Sequence, residues 1–200
     1  MADKNSQMMF FGIQILVFVA MALVVFYASR YQHRKLKAKL DAIAMSLGGE
    51  VVTGVFSEHY VKLIGSEWEQ RIQFIMPGKN TPPYLVLKQF SDLDFDLHIT
   101  RENAVTKFAE RLGLPIEIQI GDPMFDDKYL IMSRSKEKAA NFLMSSERRQ
   151  ILDEFFANGF DNMALQAKMV SFRKPSYSDQ DLDPSLLRAR LEQVRKFISG

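Results

Sequence analysis

The longest hydrophobic pattern in the chain is an uncharged run near its beginning. Residues 8–29 carry no charged side chain and one strongly polar one, Gln14. A helix rises 1.5 Å per residue, so this run reaches about 33 Å and exceeds a hydrocarbon core of about 30 Å. The sequence therefore predicts a transmembrane helix at 8–29, preceded by a short extracytoplasmic tail at 1–7.

A cleavable signal peptide is the alternative interpretation of this run. Ala20-Met21-Ala22 has the small-x-small form of a cleavage site. The apolar run continues past that site to Tyr27, and basic residues follow it directly. These two features favour an anchor over a cleaved leader.

Basic residues cluster after the run, whereas Lys4 alone precedes it. The positive-inside bias then predicts a single-pass protein of the cell inner membrane, with its N-terminus outside and its C-terminal domain in the cytoplasm. The same cations are candidate residues for binding anionic lipid head groups, and fixing the topology explains them equally well. They are Arg30, Arg34, Lys35, Lys37 and Lys39.

Two further segments have apolar residues spaced four, three and four apart, which is the pattern of one helical face. The first predicts a basic juxtamembrane helix at 30–47, ended by Gly48-Gly49, with Leu36, Leu40, Ile43 and Leu47 on its apolar face. The second predicts a C-terminal helix at 183–200, with Leu187, Leu191, Val194 and Ile198 on its apolar face. That amphipathic helix has a basic side, and its own domain, a membrane and a partner are all open as its packing surface.

The segment between these helices changes its hydrophobic period several times. Strands are expected at 50–56, 60–64, 67–76, 84–89, 94–99, 117–120, 128–133, 160–164 and 167–172. Helices are expected at 104–112, 136–143 and 147–157, and a polar linker at 174–182. Short links between the first strands favour an antiparallel meander. Residues 48–173 are thus predicted to form an α+β domain, a mainly antiparallel sheet packed with helices.

Composition excludes several functions. The chain has no cysteine, which excludes disulfides, thiolate metal sites, iron–sulfur clusters and a cysteine nucleophile. The net charge of +2 gives no global field that favours nucleic acid as a partner. No HExxH, GxSxG, Walker A or GxGxxG pattern is present, so no catalytic residue, cofactor or metal ligand is assigned.

Two acidic segments are the candidates for chemistry. On a strand, Asp92, Asp94, Asp96 and His98 share one face, and these groups suit a divalent metal. A strand whose polar face lies in water predicts the same alternation. The second segment, 121–127, is rich in Gly, Asp and Pro and is typical of a structural turn in which Phe125 enters the core.

One stretch carries a resemblance. Residues 121–152 combine Gly-Asp-Pro-x-Phe-Asp, a strand, Ser-x-x-x-x-Ala and a Leu-rich helix pair. This pattern resembles uncharacterised bacterial single-pass proteins that join an N-terminal membrane anchor to a C-terminal domain of unknown function. The resemblance implies bacterial membrane attachment and no assigned activity, so it supplies no catalytic residues.

Three functions follow as hypotheses. The first is a membrane-tethered, non-enzymatic module that binds protein or lipid at the cytoplasmic face. The second is a membrane-bound, metal-dependent hydrolase that uses the strand from Asp92 to His98. The third is an accessory subunit of a membrane complex. The expected partners are the lipid bilayer, anionic head groups, and a protein partner or a second copy of the chain.

Overall fold

The computed structural model describes residues 2–53, 59–65, 68–75, 82–101 and 118–200. The chain forms two compact units, Met1–Leu40 and Asp41–Gly200. The helices are α1 (Ala2–Leu47), α2 (Pro123–Asp126), α3 (Lys136–Leu143), α4 (Ser146–Ala157) and α5 (Pro184–Ser199), with a 3-10 turn at Asp179–Leu182. The strands are β1 (Glu50–Thr53), β2 (His59–Ile64), β3 (Glu69–Ile75), β4 (Tyr84–Phe90), β5 (Leu97–Arg101), β6 (Tyr129–Met132), β7 (Asn162–Gln166) and β8 (Met169–Pro175).

Helix α1 is continuous over both of the helical segments predicted at 8–29 and 30–47. It ends at the predicted place, where Gly48 adopts a φ of +76°, a left-handed conformation that favours glycine. The Gly49 N–H donates to the carbonyl of Ala44 at 2.8 Å and closes the last turn. Leu36, Leu40 and Ile43 are buried, as their spacing predicts.

The prediction that this helix spans a membrane is wrong. In the described ranges, no helix combines the length and the apolarity that crossing a bilayer requires. The predicted transmembrane helix at 8–29 is therefore not supported. The predicted location in the cell inner membrane, with the N-terminus outside and the C-terminal domain in the cytoplasm, depended on that helix and is not supported either.

The sheet of the described chain has eight strands in the order β1-β2-β3-β4-β8-β7-β5-β6. All of its recorded pairings are antiparallel. The α+β class and the antiparallel sheet are therefore confirmed, and β1 to β4 form the predicted meander. The meander does not continue into β5, because β8 pairs with β4 and β7 lies between β8 and β5.

Other element boundaries differ from the predictions. The strand expected at 94–99 begins only at Leu97, and the strand expected at 117–120 is irregular where it is described, with the Ile118 N–H donating to Ile131. Residues 174–182, expected as a polar linker, include the end of β8 and the 3-10 turn. The helix expected at 104–112 lies outside the described residues.

One face of the sheet forms the core with α4 and α5, and we call it the helix face. The register aligns one apolar residue from each strand across it. The aligned residues are Val51, Val61, Ile72, Leu87, Phe172, Met163, Ile99 and Ile131. Phe172 stacks on Phe155 of α4 at 4.1 Å between ring centroids and meets Phe197 of α5 edge-on at 5.4 Å. These aromatic contacts hold the two helices against the sheet.

Helix α5 packs on its own domain, which was one of the three surfaces left open by its sequence. Asp183 caps its N-terminus, since the Asp183 carboxylate accepts from the N–H groups of Ser185 and Leu186. Its buried face uses Phe197 where the spacing predicted Ile198. In addition, Gln70 of β3 donates its side-chain amide to the carbonyl of Leu191 at 2.9 Å.

Candidate functional site

The face of the sheet opposite the helices has a different composition, and we call it the polar face. The register aligns Glu50, Lys62, Arg71, Lys88, Ser171, Ala164, His98 and Met132 across it. At one end of this row Arg71 lies over the rings of Tyr60 and Phe90, at 5.1 and 4.9 Å from their centroids. The other end of the row contains a pocket.

The pocket has a volume of about 190 Å³ and involves β5, β7 and the segment after β6. It is lined by Asp96, Leu97, His98, Arg134, Ala164, Leu165 and Gln166. Ala164 and His98 are direct neighbours in the antiparallel pairing of β7 with β5. The side chains of Leu97 and Leu165 alternate to the helix face. The pocket on the polar face therefore combines the methyl group of Ala164 with one carboxylate, one guanidinium, one amide and one imidazole.

His98 is buried, at 7% exposure, and is neutral at physiological pH. Burial and, to a smaller extent, the charge of Arg173 lower its pKa to about 4, against an opposing effect of Asp161. Its Nε2 lies 2.9 Å from the side-chain amide of Asn162, which fixes the orientation of the ring. Because the imidazole is uncharged and held in place, it contributes shape and hydrogen bonding to the pocket rather than charge.

Asp96 and Arg134 bring opposite charges to the same pocket. The backbone N–H of Arg134 donates to the Asp96 carboxylate at 3.1 Å, and the Ser133 hydroxyl donates to the Asp96 carbonyl. Asp96 is half-buried and Arg134 is exposed. Within the described part of the chain, neither the carboxylate nor the guanidinium takes part in an ion pair, even though the two residues are in contact.

The acidic face predicted for Asp92, Asp94, Asp96 and His98 does not form. The three aspartates precede β5 instead of alternating along it, and Asp94 pairs with Lys138 of α3 at 2.9 Å. The side chains of Asp94 and Asp96 fasten the segment before β5 to the segment after β6. No group of three or more histidine or acidic residues within the described ranges is arranged to hold a metal ion.

The second acidic segment has the structural role that its composition predicts. Asp122 caps α2 by accepting from the N–H groups of Met124 and Phe125. The Asp126 carboxylate accepts from the N–H groups of Ile120 and Gly121, both at 3.0 Å. Phe125 is buried in the core, as predicted. These carboxylates are occupied by backbone donors.

The N-terminal unit presents two features along α1. Residues from Leu16 to Val24 are exposed on every side of the helix, with the large apolar ones between 51% and 73% exposed. Among the predicted head-group residues, Arg34, Lys37 and Lys39 have exposed side chains. The side chains of Arg30 and Lys35 lie outside the described set. Their binding to lipid head groups stays a prediction.

Sequence reasoning placed Asp96 and His98 together but missed Arg134 and Gln166. Arg134 occupies a short link between β6 and α3, and Gln166 ends β7. Neither residue belongs to a motif or a periodic face, so no local signal marks it. Only the strand order brings them to the pocket.

The fold and the pocket define an α+β protein built on an antiparallel sheet, with helices on one face and a small polar pocket on the other. The structure is similar to the crystal structure of the mycobacterial trehalose monomycolate transport factor A, with a TM-score of 0.55 and 11% sequence identity. The match covers 82% of this chain and 94% of that chain. No family model and no curated protein matches the chain. At this identity the likeness shows a common fold, and the resemblance to uncharacterised bacterial proteins stays a prediction.

Proposed function

We propose that this protein is a non-enzymatic accessory subunit that binds a larger protein partner through residues 16–24 of α1. The observation that carries the proposal is the exposure of this apolar stretch. Leu16 and Phe18 are 73% and 72% exposed, and Val24 is 68% exposed. Contiguous exposed apolar surface of this kind marks an interaction site.

The magnitude of the apolar surface limits the kind of partner. Fully burying one such side chain contributes about 1.5–3 kcal/mol, so covering the exposed parts of this stretch contributes on the order of 10 kcal/mol. Association costs roughly 4–15 kcal/mol. The stretch therefore holds a complex together only when the partner covers most of it.

The geometry of the helix also requires a partner that covers most of the stretch. Successive residues of a helix are rotated by about 100°, so Leu16, Val17, Phe18 and Val19 point to all sides. A single second helix would cover one side and leave the opposite side exposed. A groove formed by several helices covers all of them, and the exposed amide of Gln14, one turn before Phe18, fixes the register by hydrogen bonding.

The rival function, a metal-dependent hydrolase, has no comparable support. In the ranges that the structure describes, no three histidine or acidic residues are grouped so that they could hold a metal ion, although Asp96 and His98 line the same pocket. The neighbour that shares the fold is named as a transport factor and not as an enzyme. That likeness supports the proposal only through the fold.

Site-specific photocrosslinking of the full chain tests the proposal. A photoreactive benzoylphenylalanine replaces Phe18 or Val24, and the adducts formed in cells are identified by mass spectrometry. We expect both positions to give the same protein adduct, and the double variant Val17→Asp with Leu23→Asp to lose it. Met45→Asp is the matched control, because Met45 is 84% exposed on the same helix but outside the stretch.

Three outcomes contradict the proposal. They are adducts with lipid alone, an absence of adducts at both positions, and equal loss of the adduct in the control variant. Far-ultraviolet circular dichroism of each variant confirms that the helix remains folded.

The separate prediction that α1 binds lipid head groups is tested by sedimentation of the full chain with neutral and with anionic vesicles. The double variant Arg34→Glu with Lys37→Glu should reduce binding to the anionic vesicles.

A further inference from the structure

One side of α1 extends the exposed apolar stretch with tyrosine and arginine, and we call it the tyrosine stripe. It consists of Val24, Tyr27, Tyr31 and Arg34. These residues are three, four and three positions apart, so they lie within an arc of about 80° on the helix. All four are exposed, with Val24 at 68%, Tyr27 at 70% and Tyr31 at 61%. This spacing is that of the seam between two paired helices, so a single partner helix covers the stripe.

The tyrosine stripe lies on the side of α1 opposite to its buried residues. Leu36 and Leu40 are 8% and 0% exposed, and at 100° per residue their mean direction differs from that of the stripe by about 180°. The residues that α1 buries therefore leave the stripe uncovered. From Val24 to Arg34 the helix rises by about 15 Å, which is the length over which a partner helix can pack.

The composition of the stripe indicates the chemistry of that helix. Tyrosine and arginine are the residue types most enriched among the energetically dominant positions of protein interfaces. A tyrosine ring buries apolar area while its hydroxyl needs a hydrogen-bond partner. The Arg34 guanidinium matches a carboxylate, which accepts two parallel N–H donors from it. The stripe therefore favours a helix that carries an aspartate or glutamate opposite Arg34.

A second copy of α1 does not have that property. Residues 4–40 include no acidic residue, so another copy of this segment offers no counter-charge to Arg34. In a parallel pair of copies, Arg34 would face Arg34, and like charges that face each other are destabilising. The tyrosine stripe therefore fits a helix of a different protein.

We propose that the partner bound by residues 16–24 also supplies one helix that packs on the tyrosine stripe and carries an acidic side chain opposite Arg34. The inference rests on the proposed function and adds the chemistry of the partner to it. The acidic side chain lies about 15 Å along the helix axis from the partner residues that contact Val24.

Photocrosslinking at Tyr31 tests the partner helix. Benzoylphenylalanine replaces Tyr31 of the full chain, and we expect the same protein adduct as at Phe18. Lys37 is the control position, because it is exposed but lies about 100° around the helix from the stripe, and it should not give that adduct. Lipid adducts alone at Tyr31, or equal yields at Tyr31 and Lys37, would overturn the inference. An adduct at Phe18 without one at Tyr31 would refute the inference and leave the proposed function standing, whereas no adduct at Phe18 and Val24 refutes both.

Zero-length coupling with a carbodiimide tests the acidic side chain. In the variant Arg34→Lys the reagent joins the amine at position 34 to a carboxylate in contact with it, and mass spectrometry identifies both residues. We expect an aspartate or glutamate of the protein that is cross-linked at Phe18. Coupling to no carboxylate of that protein would overturn the inference.

A charge-removing variant gives an independent measurement. Arg34→Gln should lower the yield of the Tyr31 adduct about tenfold, because it leaves the partner's carboxylate unpaired. Arg195→Gln makes the same change on α5 and should leave the yield unchanged. Circular dichroism confirms that both variants are folded. An unchanged yield in folded Arg34→Gln protein would refute the charge pair.

Discussion

A buried ionic cluster at the start of α5 gives the sharpest stability prediction. The Asp181 carboxylate accepts from Lys174 Nζ at 2.6 Å and from Arg190 Nη1 at 3.0 Å. It also accepts from the backbone N–H of Ser178 at 2.9 Å. The side chains of Asp181 and Arg190 are only 6% and 7% exposed. The cluster therefore joins β8, the 3-10 turn and α5, and Asp181→Asn removes its single anion while keeping its shape.

The lowered pKa of Asp181 gives the magnitude of its contribution to the free energy of folding. Burial raises the pKa, but the hydrogen bonds from Lys174, Ser178 and Arg190 outweigh burial and lower it from 3.8 to about 2. The difference corresponds to about 2 kcal/mol of folding free energy at neutral pH. Asp181→Asn also leaves two largely buried cations without a counter-charge, so we expect a total loss of about 3 kcal/mol.

The pH dependence has a definite sign. The folded pKa is lower than the unfolded one, so the stabilisation by Asp181 is complete above about pH 5 and is lost as the pH falls through 4 towards 2. At pH 3 about half of the carboxylate's own contribution remains. The difference in stability between the wild type and Asp181→Asn should therefore be smaller at pH 3 than at pH 7.

Urea unfolding of the full chain, followed by circular dichroism at pH 7 and pH 3, measures the stability loss caused by Asp181→Asn at each pH. Asp94→Asn is the matched control, because the Asp94–Lys138 pair has a similar length of 2.9 Å but both side chains are exposed. We expect the control to have no measurable effect on the free energy of unfolding, because solvent screens an exposed ion pair. A loss below about 1 kcal/mol for Asp181→Asn at pH 7, or the same loss at both pH values, would refute the reasoning.

Three further predictions concern the core and its connections. Phe172→Ala removes the ring stacked on Phe155 and should lower the free energy of unfolding by about 3–5 kcal/mol in urea titrations. The two-residue turn between β7 and β8 places Ala167 and Lys168 at φ of +51° and +60°, so Ala167→Asn with Lys168→Gly should raise the free energy of unfolding by about 1 kcal/mol. Arg148 donates to the carbonyls of Phe142 and Phe197, and Arg148→Met should lower stability by about 2 kcal/mol in thermal melts.

Local periodicity predicted most of the elements because each is determined by neighbouring residues. The structure has α3 at Lys136–Leu143, with the predicted bounds, and β6 within one residue of its prediction at each end. The turn at Asp122 and the cap at Asp183 were equally predictable, since a side chain and the N–H groups beside it form both. Local rules succeeded where the stabilising contacts are local.

The wrong predictions concern the surroundings of an element rather than its type. The spacing of α5 predicted Ile198 at the last buried position, whereas the aromatic cluster around Phe172 selects Phe197. Hydropathy identified α1 as helical but not what its apolar residues contact. The alternation from Asp92 to His98 predicted a strand, whereas contacts with Lys138 and with the backbone of Arg134 hold the aspartates outside it. Each of these contacts joins residues distant in sequence.

The pocket is the clearest consequence of that long-range order. Its polar groups come from four places, namely the residue before β5, His98 within β5, the link after β6 and the last residue of β7. If β5 paired with β4, as a continued meander would require, β7 would not lie beside β5 and Gln166 would be remote from Asp96. Instead, β8 pairs with β4, and β7 therefore lies against β5. Strand β6 lies on the other side of β5. The candidate site therefore depends on the strand order, which the sequence pattern did not predict.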